Sequence, residues 1–265
     1  MPHLPLRLEN ANGCLILRPD MGIDGFTVVF TTRVALDARG PRFRNYGFYG
    51  MPGAAAARRR LCEALGLKVE LLTVGEQVHS TAVATVDESI AGCGGLHATR
   101  RLPATDGLIT ALTRSPLAVM TADCVPVLLA DPVRRAAAAV HAGWRGSMAG
   151  ILKTAVQAMR RTFSSRPRDL IAFLGPHIRS CCYRVGRDLA GRIEEKKAIR
   201  TRDTEIFLDL GIWNESLLKQ EGILKKNIFI SDLCTSCHTE MFFSYRADQV
   251  RKGSNASLIA ITKTG

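Results

Sequence analysis

Three short apolar segments lie close together in the middle of the chain: Leu117 to Thr121, Val125 to Ala130 and Ala136 to His141. They show little alternation between apolar and polar residues. A strand with one wet face alternates, whereas a strand covered on both faces reads as a continuous apolar run. A chain with several such runs must therefore build a sheet that is packed on both sides. Hydrophobic residues at 46% and charged residues at 23% supply the core for that and exclude intrinsic disorder. At 265 residues the chain buries about three quarters of its unfolded surface and needs no staples.

Around this centre the pattern predicts further elements. Ala54 to Leu65 reads as a helix stopped by Gly66. Val69 to Val74 and Ala82 to Val86 read as strands around the polar segment Gly75 to Thr81, and Ser89 to Thr105 as a loop. Met148 to Phe163 reads as one helix, with Ile151, Leu152, Ala155, Val156 and Met159 on its apolar face and Lys153, Gln157, Arg160 and Arg161 opposite. Strands are expected at Leu170 to Gly175, Ile228 to Ser231 and Ser257 to Thr262, and helices at Gly186 to Glu195 and Gly211 to Glu221. The expectation is an α/β fold, a single mixed-sheet domain over 1–265 with its sheets sandwiched between helices.

Lys and Arg number 36 against 24 Asp and Glu, a net charge of +12. Such a field attracts phosphates of any kind. The basic residues fall in scattered pairs such as Arg100-Arg101 and Lys225-Lys226, aromatics are only 6%, and no nucleic-acid motif is present. A solvated basic surface and a small anionic substrate are the readings left, with no nucleic-acid partner. Met1 to Asp20 lacks the apolar core of a signal peptide, and no apolar run approaches the ~18 residues of a membrane span. No membrane association is expected. Eight cysteines in a chain of this length then suggest a reducing cytoplasm with thiols and metal ligands. Nothing in the sequence fixes the oligomeric state.

Three segments combine His or Cys with strand ends: Gly75 to Ser80, Thr121 to Pro126 and Val140 to Gly146. Cys124 sits at a bend between two buried segments, His141 ends a strand before a glycine-flanked turn, and His79 lies in a turn after another strand. Two imidazoles and a thiolate suit Zn²⁺ and leave a fourth position open, where the ion polarises a water or substrate oxygen. The alternative is a buried small Cys beside two hydrogen-bonded turn histidines. Cys234-Thr-Ser-Cys237-His238 also matches a haem c attachment pattern, which needs export and an axial partner. As a zinc half-site it lacks a second Cys-x-x-Cys, and the vicinal pair Cys181-Cys182 is a poor chelator. Structural thiols come first there, a redox pair second and haem last. Phe242 to Arg246 reads as a core segment with an exposed end.

The runs T-A-D-C-V-P-V-L-L-A-D-P from Thr121, V-H-A-G-W-R-G from Val140, L-G-P-H-I-R-S-C-C-Y from Leu174, C-T-S-C-H from Cys234 and F-F-S-Y-R from Phe242 occur in that order. Together they resemble the laccase-domain family. That family is also called multicopper polyphenol oxidoreductase, and purine nucleoside phosphorylase and peptidoglycan editing factor. The likeness runs from about Phe30 to the C-terminus and matches residues 1–25 poorly. It implies one α/β domain and a metal triad of His79, Cys124 and His141. It also implies phosphorolysis of purine nucleosides, adenosine deamination, or removal of wrong amino acids from a peptidoglycan precursor.

In that setting Arg33 and Arg145 are expected to bind an anion, since guanidinium forks match phosphate. Gln77 and Asn45 are expected on base or ribose, and Asp123 beside Cys124 as a catalytic residue that orients a ligand or moves a proton. The sequence departs from the family pattern over 34–52 and 247–254, which leaves the triad intact and bears on the substrate.

The cofactor expected is zinc, with copper second. A four-copper oxidase needs on the order of ten imidazoles, and the chain has 6 His. The zinc base deaminases pair His-x-Glu with Pro-Cys-x-x-Cys, whereas Ser80-Thr81 follow His79. The first expectation is a zinc-dependent purine nucleoside enzyme acting with phosphate or water. Alternatives are a peptidoglycan-precursor amidase, a copper-dependent polyphenol oxidoreductase and a non-enzymatic zinc-containing binding protein.

Overall fold

The computed structural model describes residues 3–37, 40–47, 53–249 and 253–262. Parts of the divergent 34–52 and 247–254 segments thus lie outside the described residues. The chain opens with strands β1 (Leu6–Ala11), β2 (Cys14–Pro19), β3 (Phe26–Asp37) and β4 (Gly40–Phe43), followed by helix α1 (Ala54–Ala64). Next come β5 (Thr73–Val74), β6 (Val83–Thr85), β7 (Gly107–Thr110), β8 (Leu117–Thr121), β9 (Val125–Asp131) and β10 (Ala136–Ala142). Helices α2 (Trp144–Ala149) and α3 (Ile151–Phe163) precede β11 (Ile171–Leu174), β12 (Arg184–Val185) and α4 (Arg187–Gly191). The chain ends through β13 (Ile199–Arg202), β14 (Glu205–Leu208), α5 (Leu210–Gln220), β15 (Ile228–Ile230), α6 (Tyr245–Asp248) and β16 (Asn255–Ile261).

The first sheet has the order β1-β2-β3-β16-β8-β5, with β4 beside β3; the second runs β15-β11-β9-β10-β7-β6; a small third sheet is β12-β14-β13. Most pairs are antiparallel, while β5–β8, β6–β7 and β11–β15 are parallel. Alternate residues of the central strands separate into layers. Leu117 and Val119 of β8 and Ile259 of β16 meet Leu128 of β9 and Ala137 and Ala139 of β10 between the two sheets. The opposite face of β9 and β10 packs on Ile151, Leu152, Ala155, Val156 and Met159 of α3. The opposite face of β8 and β16 packs on Ala57 and Leu61 of α1. Each large aliphatic side chain buried in this way stabilises the fold by about 1.5–3 kcal/mol relative to exposure.

The result is helix, sheet, sheet, helix, the α/β sandwich that the unalternating runs predict. Every residue of β8, β9 and β10 is buried. No helix among the described residues is long and apolar enough to cross a membrane.

Several expectations need correction. The helix expected over Met148 to Phe163 is two helices, because Gly150 turns left-handed at φ 95 between them. The first of them starts at Trp144, which brings Trp144 and Arg145 onto its opening turn. Val69 to Leu71 is a 3-10 turn, and only Thr73–Val74 pairs as a strand. The helix expected over Gly186 to Glu195 shrinks to Arg187–Gly191. Strands β1 and β2 join the first sheet although residues 1–25 show little resemblance to the family. β1 is a largely solvated edge strand with Arg7, Glu9 and Asn10, and so carries no strong apolar signal.

Candidate metal centre and active site

The site sits where the chain passes between the two sheets. Thr121 ends β8 in the first sheet and Val125 begins β9 in the second, so Ala122 to Cys124 make the crossing. Gly75 to Ala82 make a second crossing, from β5 to β6, and carry His79. β10 lies antiparallel to β9 with His141 opposite Pro126 and Ala142 opposite Val125, which places His141 beside Cys124. The ligand atoms of His79, Cys124 and His141 all fall within 4.8 Å of one another. Cys124 Sγ is 3.8 Å from His79 Nε2, and the two imidazoles meet edge to face with centroids 4.8 Å apart.

Asp106, a residue that sequence reasoning missed, organises this cluster. Its Oδ1 lies 2.7 Å from His141 Nδ1. The same buried carboxylate accepts the backbone N–H groups of Val78, His79 and Ser80 at 3.0, 3.0 and 2.8 Å, and the Ser80 hydroxyl at 2.9 Å. These bonds hold His79 at φ 63, a left-handed conformation that non-glycine residues seldom adopt. Burial alone would raise the Asp106 carboxyl, but His141 and the Ser80 and Val78 amides outweigh it and hold it at about 2.

With Nδ1 engaged by Asp106, His141 offers Nε2 to an ion, the usual arrangement for a ligating histidine. Burial disfavours the Cys124 thiolate, yet His141 and His79 bring the thiol down to about 6. Burial likewise disfavours the charged His141, and the Cys124 and Asp106 anions lift it to about 9. A divalent cation held by His79, Cys124 and His141 would take the place of that proton as the partner of the thiolate. Gly143 leaves the required room: a Cβ there would lie 2.7 Å from His79 Cδ2 and 2.8 Å from Cys124 Sγ. Donor set, spacing and room fit one tetrahedral divalent ion with an open fourth position.

The triad faces a cavity of about 520 Å³, within the range of small-molecule sites. Gln77, Asp123 and Arg145 line it with the triad, as do Trp144, Tyr183 and Arg246. Gln77 spends its amide on the backbone of β8, donating to Met120 O at 2.7 Å and accepting from Met120 N at 2.8 Å. Asp123 stands at φ 93, with Oδ1 accepting from the Thr235 hydroxyl and Oδ2 from the Arg246 N–H, both at 2.7 Å. The Arg145 guanidinium lies 4.4 Å from the Trp144 ring centre. Burial, reinforced by Cys124, pushes the Tyr183 phenol up to about 12, although Arg246 and Arg145 pull it down.

The structure does not bring Arg33 and Asn45 to the cavity wall. Arg33 donates to the Thr239 carbonyl and lies 4.4 Å from the Phe243 ring centre. Asn45 Oδ1 accepts from the backbone N–H groups of Gly47 and Ser254. Both brace segments behind the wall. Phe242 and Phe243 are buried as expected of a core segment, but the exposed end beyond them, Tyr245 and Arg246, lines the cavity.

Fold, crossover residues and cavity together define a two-sheet α/β protein whose His79, Cys124 and His141 form a nitrogen–sulfur donor set that could hold a metal ion. Residues 53–262 match the family described as "Multi-copper polyphenol oxidoreductase laccase", and the chain belongs to that family. It is 33% identical over 209 residues to "Purine nucleoside phosphorylase YlmD" of Geobacillus stearothermophilus, covering 76% of each chain. It is 30% identical over 242 residues to "Adenosine deaminase RL5" of an unknown prokaryotic organism, covering 87% of this chain and 92% of that one. The crystal structure of YlmD from Geobacillus stearothermophilus superposes with a TM-score of 0.89 at 30% identity, over 99% of this chain and 100% of that chain.

Proposed function

We propose that the chain is a zinc-dependent purine nucleoside enzyme whose first reaction is phosphorolysis of adenosine or inosine. The observation that carries this is the placement of His79, Cys124 and His141 on the wall of a cavity that also presents Arg145 and Arg246. The names of the similar proteins agree with it. A zinc ion on the triad would supply a Lewis acid beside the cavity.

The chain's own residues do the rest. Arg145 and Arg246 bind and orient the phosphate, as guanidinium groups suit an oxyanion. Met120, Ile178 and Leu210 give the base an apolar surface. Tyr183 keeps its proton on Oη at neutral pH and donates a hydrogen bond to ribose or base. Asp123 is a positioning residue: its carboxylate fixes Arg246 and the 235 loop. In the reaction the bond from ribose C1′ to the base nitrogen breaks, a C1′–O bond to phosphate forms, and the base leaves with the proton that the hydrogen phosphate gives up.

A second reading, adenosine deamination with water as nucleophile, is favoured by the likeness to RL5. A panel separates the two. Zinc-loaded protein is given adenosine, inosine or guanosine, with and without phosphate, and products are resolved by chromatography. Free base formed only with phosphate supports phosphorolysis. Inosine and ammonia formed from adenosine without phosphate support deamination. Turnover of none, with amino-acid release from a nucleotide-linked muramyl peptide, would replace both with the amidase reading. The protein is expected to act in the cytoplasm.

A further inference from the structure

Two cysteine pairs, distant in sequence, converge beside the cavity. Cys181 and Cys182 lie in the turn that follows Arg179, and Cys234 and Cys237 in the turn that precedes His238. Backbone bonds join the two loops: His177 N–H reaches Leu233 O at 3.3 Å, and Thr235 N–H reaches His177 O at 3.0 Å. All four sulfurs fall within 4.8 Å of one another. Cys237 Sγ is 3.4 Å from Cys181 Sγ and 3.3 Å from Cys182 Sγ.

Thiols gain little from each other's company, because S–H is a weak donor and sulfur a weak acceptor. A cation that takes them as thiolates gives the convergence a stabilising centre. Four thiolates at ~2.3 Å from a tetrahedral zinc stand roughly 3.8 Å apart, between the short contacts and the outer limit seen here. A disulfide draws two sulfurs to about 2.05 Å and leaves the other two without a role. A polynuclear iron–sulfur cluster needs its cysteines to straddle several irons, and four sulfurs this close suit a single ion. Cys181 and Cys237 are exposed, so an ion has access.

We propose that Cys181, Cys182, Cys234 and Cys237 form a second metal site, a structural zinc centre separate from the His79–Cys124–His141 site. The sequence spacing argues against it, because neither pair is a strong chelator alone; the His177–Cys234 bridge makes one four-donor set of two weak ones. With four protein ligands the site is closed to substrate, and its role is mechanical. It ties together two loops that hold the cavity. Thr235, inside the Cys234–Cys237 turn, donates to Asp123 Oδ1, and Ile178 N–H donates to the Asp123 carbonyl at 2.9 Å. Tyr183 follows Cys182 directly.

The test counts zinc on the full chain by native mass spectrometry after loading with Zn²⁺ and removal of excess. Two ions are expected per wild-type chain, one in His141→Ala and one in Cys182→Ser/Cys237→Ser. An arm that needs no cysteine variant uses iodoacetamide on the zinc-loaded wild type, with the modified positions mapped by peptide mass. Cys181 and Cys237 are expected to resist alkylation until a chelator is added, despite their exposure. A single zinc that vanishes in His141→Ala, iron in place of zinc, or immediate alkylation of Cys181 and Cys237 in loaded protein would overturn the proposal. All of these readouts are independent of nucleoside turnover.

Discussion

Asp106 Oδ1 lies 2.7 Å from His141 Nδ1, and the same carboxylate gathers three consecutive backbone N–H groups of the loop that carries His79. One buried anion thus sets the orientation of two of the three candidate ligands, His141 and His79. Asp106→Asn keeps the side chain's size and removes its charge. Zinc affinity is expected to fall about 10–100-fold, the usual effect of losing such a supporting carboxylate. Stability is expected to fall by about 1–3 kcal/mol as buried donors lose their acceptor. Competition with a chromophoric chelator and urea unfolding measure the two. Unchanged zinc affinity would contradict this role.

Gly143→Ala acts through a single added carbon. The backbone there, at φ −77 and ψ 165, accepts any residue, so only the clash with His79 and Cys124 matters. The fold should lose about 1–3 kcal/mol, as overpacking does. Zinc affinity should fall by on the order of tenfold or more, because two ligands must move. Isothermal titration with Zn²⁺ beside thermal unfolding separates the two effects.

Arg145→Ala removes a charged donor from the cavity and touches no metal ligand. KM for phosphate should rise roughly 10–100-fold, the equivalent of losing about 1.5–3 kcal/mol from a charge-assisted hydrogen bond. Zinc content should stay at the wild-type value. Steady-state rates at varied phosphate with fixed inosine check the first expectation, and metal analysis the second.

Much of this fold was legible because burial leaves a pattern. β8 to β10 read as strands covered on both faces, and they are. β1 was not legible, since an edge strand with Arg7, Glu9 and Asn10 facing water looks like loop. The break at Gly150 was hidden because the apolar spacing from Ile151 to Met159 continues a plausible helix backwards. At the site, residue types pointed to His79, Cys124 and His141, but only the sheet crossings explain why such distant residues meet. Asp106 gave no signal, being a lone acid before a four-residue strand. Arg33 and Asn45 had suitable chemistry, but sequence does not say which way a side chain faces, and theirs brace the wall from behind.

Asp209 predicts an acid-sensitive contribution to stability. Burial works against its carboxylate, but His177, Arg179 and the Ile212 N–H outweigh burial and hold its pKa below the usual value. Arg179 Nε lies 3.1 Å away, and Oδ1 caps α5 through Ile212 N at 3.1 Å. A carboxyl whose folded pKa is depressed stabilises the fold above its unfolded pKa of about 3.9 and loses that contribution as pH falls further. Urea unfolding at pH 7 and pH 3 should show a smaller loss on acidification for Asp209→Asn than for wild type, and a lower stability for the variant at pH 7. Equal acid sensitivity would rule this contribution out.

The central claim, that the triad beside the arginine-lined cavity performs purine nucleoside phosphorolysis, is tested most directly by product stoichiometry. Zinc-loaded wild type and His141→Ala are incubated with inosine and inorganic phosphate, and ribose 1-phosphate and hypoxanthine are quantified. Equimolar formation of both by wild type, with loss of at least about 100-fold in the variant, is the predicted result. Hypoxanthine without ribose 1-phosphate, or equal rates for the two proteins, would contradict it.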